Sequence, residues 1–269
     1  MEIKHLCFAY GNTPILKDLN FQIKEGKVTT ILGPNGCGKT TLFRLLTRNL
    51  RPAKGQVLIK NRNIYKADRK DFARGVAIVQ QNNTSTEDIT VEELVAFGRT
   101  PHQKFYGTKT KKDEEEIERA MEITNIAKYR ERCMGTLSGG QKQRAWIAMA
   151  LAQHPKYLFL DEPTTYLDIR YQVQILELVK QLNQEYGMTI VMVLHDVNQA
   201  IAYSDEIFCM KKGNILFSGS PEEVVTKENM HELYGIDMEV LHMGSKKHVI
   251  LERAVWEEMR ENKLEVKHS

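Results

Sequence analysis

The sequence predicts an α/β fold, a mostly parallel sheet covered by helices on both faces. Short apolar or β-branched runs at 28–32, 157–160 and 189–194 have the near-continuous hydrophobicity of strands buried on both sides. Helical periodicity separates them. Leu42, Leu46 and Leu50 recur at i, i+4 in a helix predicted over 39–49, and Val173, Leu176, Val179 and Leu182 mark a longer one. Alternation of this kind links parallel strands through crossover helices.

Up to about residue 64 the chain reads as short strands interrupted by that first helix, with turns at Gly11-Asn12 and Glu25-Gly26. From Val91 to about Gln153 the signal is mostly helical. The segment 113–129 opens with a run of acids, which suits a helix N-terminus, and places Ile117, Met121 and Ile126 on one face. Further on, Ser220, Pro221, Glu222 and Glu223 supply an N-cap, a first-turn proline and first-turn acids. The last 40 or so residues combine a strand-like piece at 248–251 with a charged terminal helix, and carry no recognisable chemistry. No internal repeat or low-complexity linker interrupts the chain.

At 269 residues the chain suffices for one large domain or a domain with a sub-lobe. Its 42% hydrophobic and 27% charged residues are those of an ordinary globular protein. A net charge of +3 is too small to point to nucleic acid or lipid as a dedicated partner. Cys7, Cys37, Cys133 and Cys209 lie far apart without a CxxC pair, so neither a disulfide framework nor a zinc site is expected, and a reducing cytoplasm fits best. No stretch has the apolar length of a membrane span. Residues 1–10 alternate like a strand and lack a cleavage site, so no signal peptide is expected. Any membrane this chain serves is therefore expected to be reached by docking on another protein.

Gly33-Pro34-Asn35-Gly36-Cys37-Gly38-Lys39-Thr40 follows a buried strand and opens a helix, which is the setting of a phosphate-binding loop. Glycines let the loop wrap a phosphate with its N–H groups pointing inward, and the helix N-terminus adds partial positive charge. Lys39 can reach β- and γ-phosphates, the Thr40 hydroxyl can ligate Mg²⁺, and Thr41 extends the same nucleotide-binding segment. Downstream, an apolar strand ends in Asp161 and Glu162. Strands of parallel sheets deliver ligand-binding groups at their carboxyl ends. Asp161 is placed to hold Mg²⁺, directly or through water, and Glu162 to orient and polarise an attacking water. Alone, such an acidic pair is more often the start of a loop; its meaning comes from coexisting with the phosphate loop.

Leu137-Ser138-Gly139-Gly140-Gln141, followed by Lys142-Gln143-Arg144, resembles the signature motif of the ABC ATPase family. Read without that likeness, it is a Ser-Gly-Gly turn capping a helix. The two readings agree, because Ser138 and the helix N–H groups form a second anion site. The resemblance covers about residues 1–235 and implies a RecA-like nucleotide core, a small antiparallel β lobe and a helical lobe at about 81–152. Residues 236–269 form an extension of the same domain. It further implies that Ser138, Gly139, Gly140 and Gln141 face the γ-phosphate bound by another copy. Two incomplete sites then become complete in a head-to-tail dimer that binds ATP.

Other positions take roles from the same resemblance. Tyr10 matches the aromatic that stacks on adenine, although by itself it reads as a strand tyrosine. Gln81, rather than its neighbour Gln80, has the family spacing to Thr90-Val91 and matches the glutamine that senses Mg²⁺ and water. Asp168, in Tyr166-Leu167-Asp168, matches the loop that couples the two sites. His195 matches the switch histidine on the γ-phosphate, where a lone histidine after a strand is usually structural. Cys37 is read as a small residue tolerated in the loop, with a thiol beside a helix N-terminus as a candidate for reactivity.

Segments outside this chemistry, among them Gly98-Arg99-Thr100-Pro101-His102-Gln103 and His195-Asp196-Val197-Asn198-Gln199-Ala200, resemble the ATPases of iron–siderophore, haem and cobalamin importers, the iron–siderophore group most closely. That likeness implies a peripheral ATPase on the cytoplasmic face of the inner membrane. It would work with an integral permease and, indirectly, an extracytoplasmic substrate-binding protein. A groove near Gln81 would grip a cytoplasmic helix of the permease, and the basic stretch 104–112 reads as a solvated loop. The alternatives are the ATPase of a haem, cobalamin or other metal importer, an exporter ATPase, or a soluble ABC ATPase acting in translation or on chromosomes. A single ATPase domain, no long coiled coil and no marked basic excess weigh against the last.

Overall fold

The computed structural model describes residues 1–83, 85–103, 110–243 and 246–250. The chain opens with β1 (Glu2–Tyr10) and β2 (Thr13–Gln22), joined at Gly11, whose φ of 55° suits a tight turn. β3 (Val28–Leu32) is buried at every position and runs into the glycine loop and α1 (Lys39–Leu46). After β4 (Lys54–Ile59) and β5 (Arg62–Asn63), Asp68 caps α2 (Arg69–Gly75), and β6 (Val76–Val79) follows. Three helices come next: α3 (Val91–Phe97), α4 (Lys111–Ile123) and α5 (Gly139–Ala152). The chain returns through β7 (Tyr157–Asp161), α6 (Ile169–Tyr186), β8 (Thr189–Val193) and α7 (Val197–Tyr203). β9 (Glu206–Lys211), β10 (Asn214–Gly219), α8 (Pro221–Val224) and α9 (Lys227–Tyr234) lead to a hairpin of β11 (Glu239–Met243) and β12 (Lys246–Ile250).

Strand order explains why distant sequence segments meet. The larger sheet runs β10-β9-β3-β8-β7-β6, with all neighbours parallel except β10. Ile31, Val193 and Asp161 lie level across β3, β8 and β7, and Val79 pairs with Leu160. Four adjacent strands therefore release their chains at one carboxyl edge, the position where parallel sheets bind ligands. The expected parallel sheet and antiparallel lobe are both present, the latter as β2-β1-β4-β5. An apolar layer containing Leu6, Leu16, Leu42, Phe43 and Phe159 fills the space around α1, with Phe43 and Phe159 edge to face at 5.8 Å.

Several expected boundaries shift for local reasons. The first helix ends at Leu46, not near Asn49, because the Thr47 hydroxyl donates to Phe43 O at 2.8 Å and Arg48 turns left-handed at φ 63°. The acid-led helix starts earlier, at Lys111 under a Thr110 cap, and stops at Ile123. Thr124 bonds back to Ala120 O at 2.8 Å, and Tyr129 falls in a separate 3₁₀ turn, although Ile117, Met121 and Ile126 are all buried as expected. Val173 lies on the exposed side of α6, while Leu176, Val179 and Leu182 are buried. Ser220 caps α8 as its sequence predicts. Within the basic stretch 104–112, Lys111 and Lys112 open α4 and 104–109 lie outside the described residues. So do Leu251 and the charged terminal segment after it.

Around α3, α4 and α5 the packing turns on Arg99. Gly98 lets α3 approach α5 so closely that a Cβ there would lie 2.0 Å from Met149 O. Next to it, the buried Arg99 guanidinium donates to Asp113 Oδ1 at 2.8 Å and to Ala152 O at 2.6 Å, tying the ends of three helices. Burial alone would raise the Asp113 carboxyl, but bonds from the Thr110 N–H and hydroxyl and from Arg99 outweigh it and hold the group at about 2. Arg99→Met strands this carboxylate in the core, and urea unfolding at pH 7 is expected to show a loss of about 3 kcal/mol. Because the folded value lies below the unfolded one, the contribution is complete above about pH 4 and disappears as pH falls through 2. The gap between wild type and variant therefore narrows on acidification; a gap that widened would contradict this reading.

Candidate active site

The glycine loop owes its shape to positions no other residue fits. Gly33, Gly36 and Gly38 have φ of 151°, 76° and 110°, and a Cβ on Gly33 would sit 2.2 Å from Met210 O. On Gly38 a Cβ would meet Leu16 Cδ2 at 2.9 Å. As Gly38 is the N-cap, no side chain satisfies the first N–H groups of α1, which leaves the helix end open to an anion. Asn35 and Thr40 are exposed beside it, whereas Thr41 is buried. The Lys39 ammonium folds over the loop, donating to Gly33 O at 2.6 Å and Pro34 O at 3.1 Å. Cys37 is buried, and burial pushes its thiol above the ordinary value, so it is a neutral space-filling group here, not an activated nucleophile.

At the end of β7 the backbone reverses: Glu162 has φ 50°, an uncommon conformation for a residue with a side chain. Its carboxylate is held on both oxygens. Gln81 Nε2 donates to Oε2 at 2.6 Å, the Thr165 hydroxyl donates to the same oxygen at 3.0 Å, and His195 Nε2 lies 2.6 Å from Oε1. Gln81, Glu162 and His195, separated widely in sequence, are thus assembled as the strand order requires. Thr165 was not singled out from sequence. Its signal is local, a hydroxyl three residues after the acid within a turn closed by Thr165 N–H to Glu162 O at 3.2 Å.

Asp161 has the opposite environment. Its Oδ1 is buried without a hydrogen-bond partner, and burial, reinforced by the Glu162 charge, pushes the carboxyl up to about 6. Arg44, His195 and Lys39 pull in the other direction without cancelling the shift. The orphaned Asp161 oxygen suits a hard divalent cation, for which the Thr40 hydroxyl and the Gln81 side-chain carbonyl would be further oxygen donors. Among the described residues no cluster of three or more His, Cys, Asp or Glu is placed to hold a metal. A cation here would complete its shell from nucleotide oxygens, as Mg²⁺ does.

The Ser138 segment packs elsewhere. Ser138 and Gln141 form a capping box on α5, the Ser138 N–H donating to Gln141 Oε1 at 3.0 Å. A Cβ on Gly140 would lie 2.2 Å from the Tyr171 ring, and one on Gly139 would touch Leu167 at 3.4 Å. Close packing on the start of α6 therefore demands glycine at 140. Asp168 caps that helix through the Tyr171 N–H at 3.0 Å. Tyr166 and Ile169 beside it are 89% and 79% exposed, unusual for large apolar side chains on a monomer. Behind the turn, Thr164 donates to Gln199 Oε1, Gln199 to Gln172 Oε1, and Gln172 to Leu167 O, at 3.1, 2.7 and 2.9 Å. The site residues thus form two groups, one around Lys39 and Glu162, the other joining Ser138–Gln141 to the Asp168 turn. Tyr10, at the end of β1, is half-exposed with its ring edge-on to Phe8 at 4.9 Å.

The raised Asp161 value has a measurable consequence. Between about pH 4 and 6 the folded protein holds this proton more tightly than the unfolded chain, so stability falls as pH rises through that interval. Without nucleotide or divalent cation, Asp161→Asn is expected to stabilise the protein at pH 8 by on the order of 1–2 kcal/mol, the gain vanishing near pH 4. Thermal unfolding at the two pH values reads this; a variant destabilised at pH 8 would contradict the assignment of an unpartnered charge.

A family model described as ABC transporter matches residues 16–165. Over 247 residues the chain is 42% identical to the petrobactin import ATP-binding protein FpuC of Bacillus anthracis, an alignment covering 92% of this chain and 90% of that protein. Over 233 residues it is 45% identical to the ferric enterobactin transport ATP-binding protein FepC of Escherichia coli, covering 87% and 86% respectively. Among solved structures, a dimeric bacterial ABC transporter cassette superposes with a TM-score of 0.69 at 30% identity, covering 82% of this chain and 98% of that one. With the loop, the carboxylates and the capped glycine turn placed as they are, the chain belongs to the ABC transporter family and is one of its ATP-hydrolysing subunits.

Proposed function

We propose that this subunit energises the uptake of ferric siderophores through a separate membrane permease. Near full-length similarity to petrobactin and enterobactin import subunits is the observation that carries the choice of cargo. Within this reading residues 1–235 are the ATPase unit with its helical lobe at 81–152, and 236–269 extend the same domain. The protein works at the cytoplasmic face of the inner membrane, and an extracytoplasmic binding protein delivers cargo to the permease.

Each site residue then has a task. The Tyr10 ring stacks on adenine, and the loop N–H groups from Gly33 to Thr41 with the Lys39 ammonium hold the phosphates. Thr40, Gln81 and Asp161 hold Mg²⁺, which when bound neutralises charge developing on the phosphate oxygens. Glu162 orients the attacking water and accepts its proton as oxygen bonds to the γ-phosphorus and the bond to the bridging oxygen breaks. His195 contacts the γ-phosphate, and Gln81 reports its presence to the helical lobe. Ser138, Gly139, Gly140 and Gln141 complete the site of a second copy arranged head to tail. Asp168, in its exposed turn, lies on that interface. Likeness to a solved dimeric ABC transporter cassette supports the two-copy arrangement.

For the permease, a groove of about 550 Å³ beside α3 is lined by Ile89, Ala96 and Phe97 together with Asp88, Glu93 and Gln103. Phe97 is 59% exposed, and with the carboxylates of Asp88 and Glu93 nearby it supports docking of an amphipathic helix. Glu162→Gln is expected to bind ATP as wild type does, to lose at least about a hundredfold in turnover, and to accumulate as a dimer. Wild-type turnover would remove Glu162 from its role. For cargo, deletion of the gene is expected to abolish uptake of radioactive iron from ferric siderophores while haem and cobalamin uptake continue. Intact siderophore uptake with loss of another cargo would overturn the choice.

A further inference from the structure

The helix after His195 is too short to hold itself in place. α7 has seven residues, below the length at which an isolated helix persists in water, so its anchors decide where it sits. On one side Asp196 caps it through the Gln199 N–H at 3.0 Å, and the Gln199 amide joins Thr164 and Gln172. Farther along, Ala200 is buried and the Tyr203 hydroxyl donates to Glu177 Oε1 at 2.9 Å. The other side faces the hairpin of β11 and β12. There Asn198 Nδ2 donates to Val249 O at 3.1 Å, and Val249 N–H donates to Asn198 Oδ1 at 2.8 Å. One carboxamide thus makes both bonds that a neighbouring strand would make, and closes the open edge of β12 at Val249. Val240 and Val249 also pack on the core, so the hairpin is seated as well as tied.

We infer that the C-terminal hairpin is a positioning element of the hydrolytic site, with Asn198 as the residue that transmits it. Asn198 lies three residues beyond His195, whose ring is 2.6 Å from Glu162. A turn of backbone clamped on one face by Gln199 and on the other by Asn198 has little freedom to rotate. The His195 ring is then held beside Glu162 through the backbone that Asn198 fixes. This rests on the role given to His195 above and adds to it a function for residues beyond the matched ATPase segment. Asn198 touches no reacting atom; it acts through the backbone it fixes.

Four variants of the full-length chain test this. Asn198→Ala removes both bonds. Val249→Pro removes the N–H from the other side, where the hairpin partner does not use it. Each is expected to lower kcat about tenfold, as misplacement of a catalytic group by a fraction of an ångström does, with KM for ATP within about twofold and ATP binding retained as the control for folding. The discriminating measurement adds Asn198→Ala to His195→Ala. If Asn198 acts through His195, the second substitution leaves the residual single-turnover rate unchanged. An equal proportional loss in both backgrounds, or wild-type kcat in Asn198→Ala, would overturn the inference. Wild-type kcat in His195→Ala alone would instead overturn the role of His195, a distinct failure.

Discussion

Two adjacent carboxylates must leave one strand end in different surroundings, and the rest of the site follows from how that is done. Side by side in a half-buried edge, Asp161 and Glu162 repel each other, and neither can be solvated as in water. The left-handed turn at Glu162 separates them. It sends Glu162 toward a histidine, a glutamine and a threonine that hold both its oxygens, and leaves Asp161 with an oxygen that nothing in the chain satisfies. In the proposed function Glu162 works on water and Asp161 is kept for a cation.

Supplying those three partners is a problem of topology. Gln81 follows β6, Glu162 and Thr165 follow β7, and His195 follows β8, while the Lys39 loop follows β3. The order β3-β8-β7-β6 makes these four strands neighbours, and parallel pairing makes their exits level. A second constraint keeps the other half of the chemistry apart. Gly140 must accept the Tyr171 ring and Gly139 lies against Leu167, which ties the Ser138 turn to the start of α6 and the loop before it. In the proposed two-copy arrangement the phosphate loop of each chain serves one site and its Ser138 helix end serves the other.

Much of this was readable in the residues because it depends on local patterns. Glycines at 33, 36 and 38 mark a loop whose φ values favour glycine, and the apolar strand before Asp161 marks a carboxyl edge. Tertiary matches left no such trace. Arg99 reaches Ala152 across 53 residues and Thr164 reaches Gln199 across 35, and no periodicity encodes either bond. Val173 fits the apolar spacing of α6 and yet faces outward, since spacing defines a stripe but not its width. The end of α1 was missed because a hydroxyl, Thr47, competes for a helix carbonyl, an effect propensity does not register.

In the proposed function, hydrolysis needs the Lys39 loop of one copy and the Ser138 helix of another. Mixing two inactive variants tests it directly. Lys39→Ala and Ser138→Arg should each be inactive as a homodimer. In a mixed dimer both defects fall in one composite site and leave the other intact. The account predicts that ATPase activity returns on mixing, in proportion to the fraction of mixed dimers. If Lys39 and Ser138 of the same chain served one site, every mixed dimer would carry two damaged sites, and the absence of any recovery would contradict it.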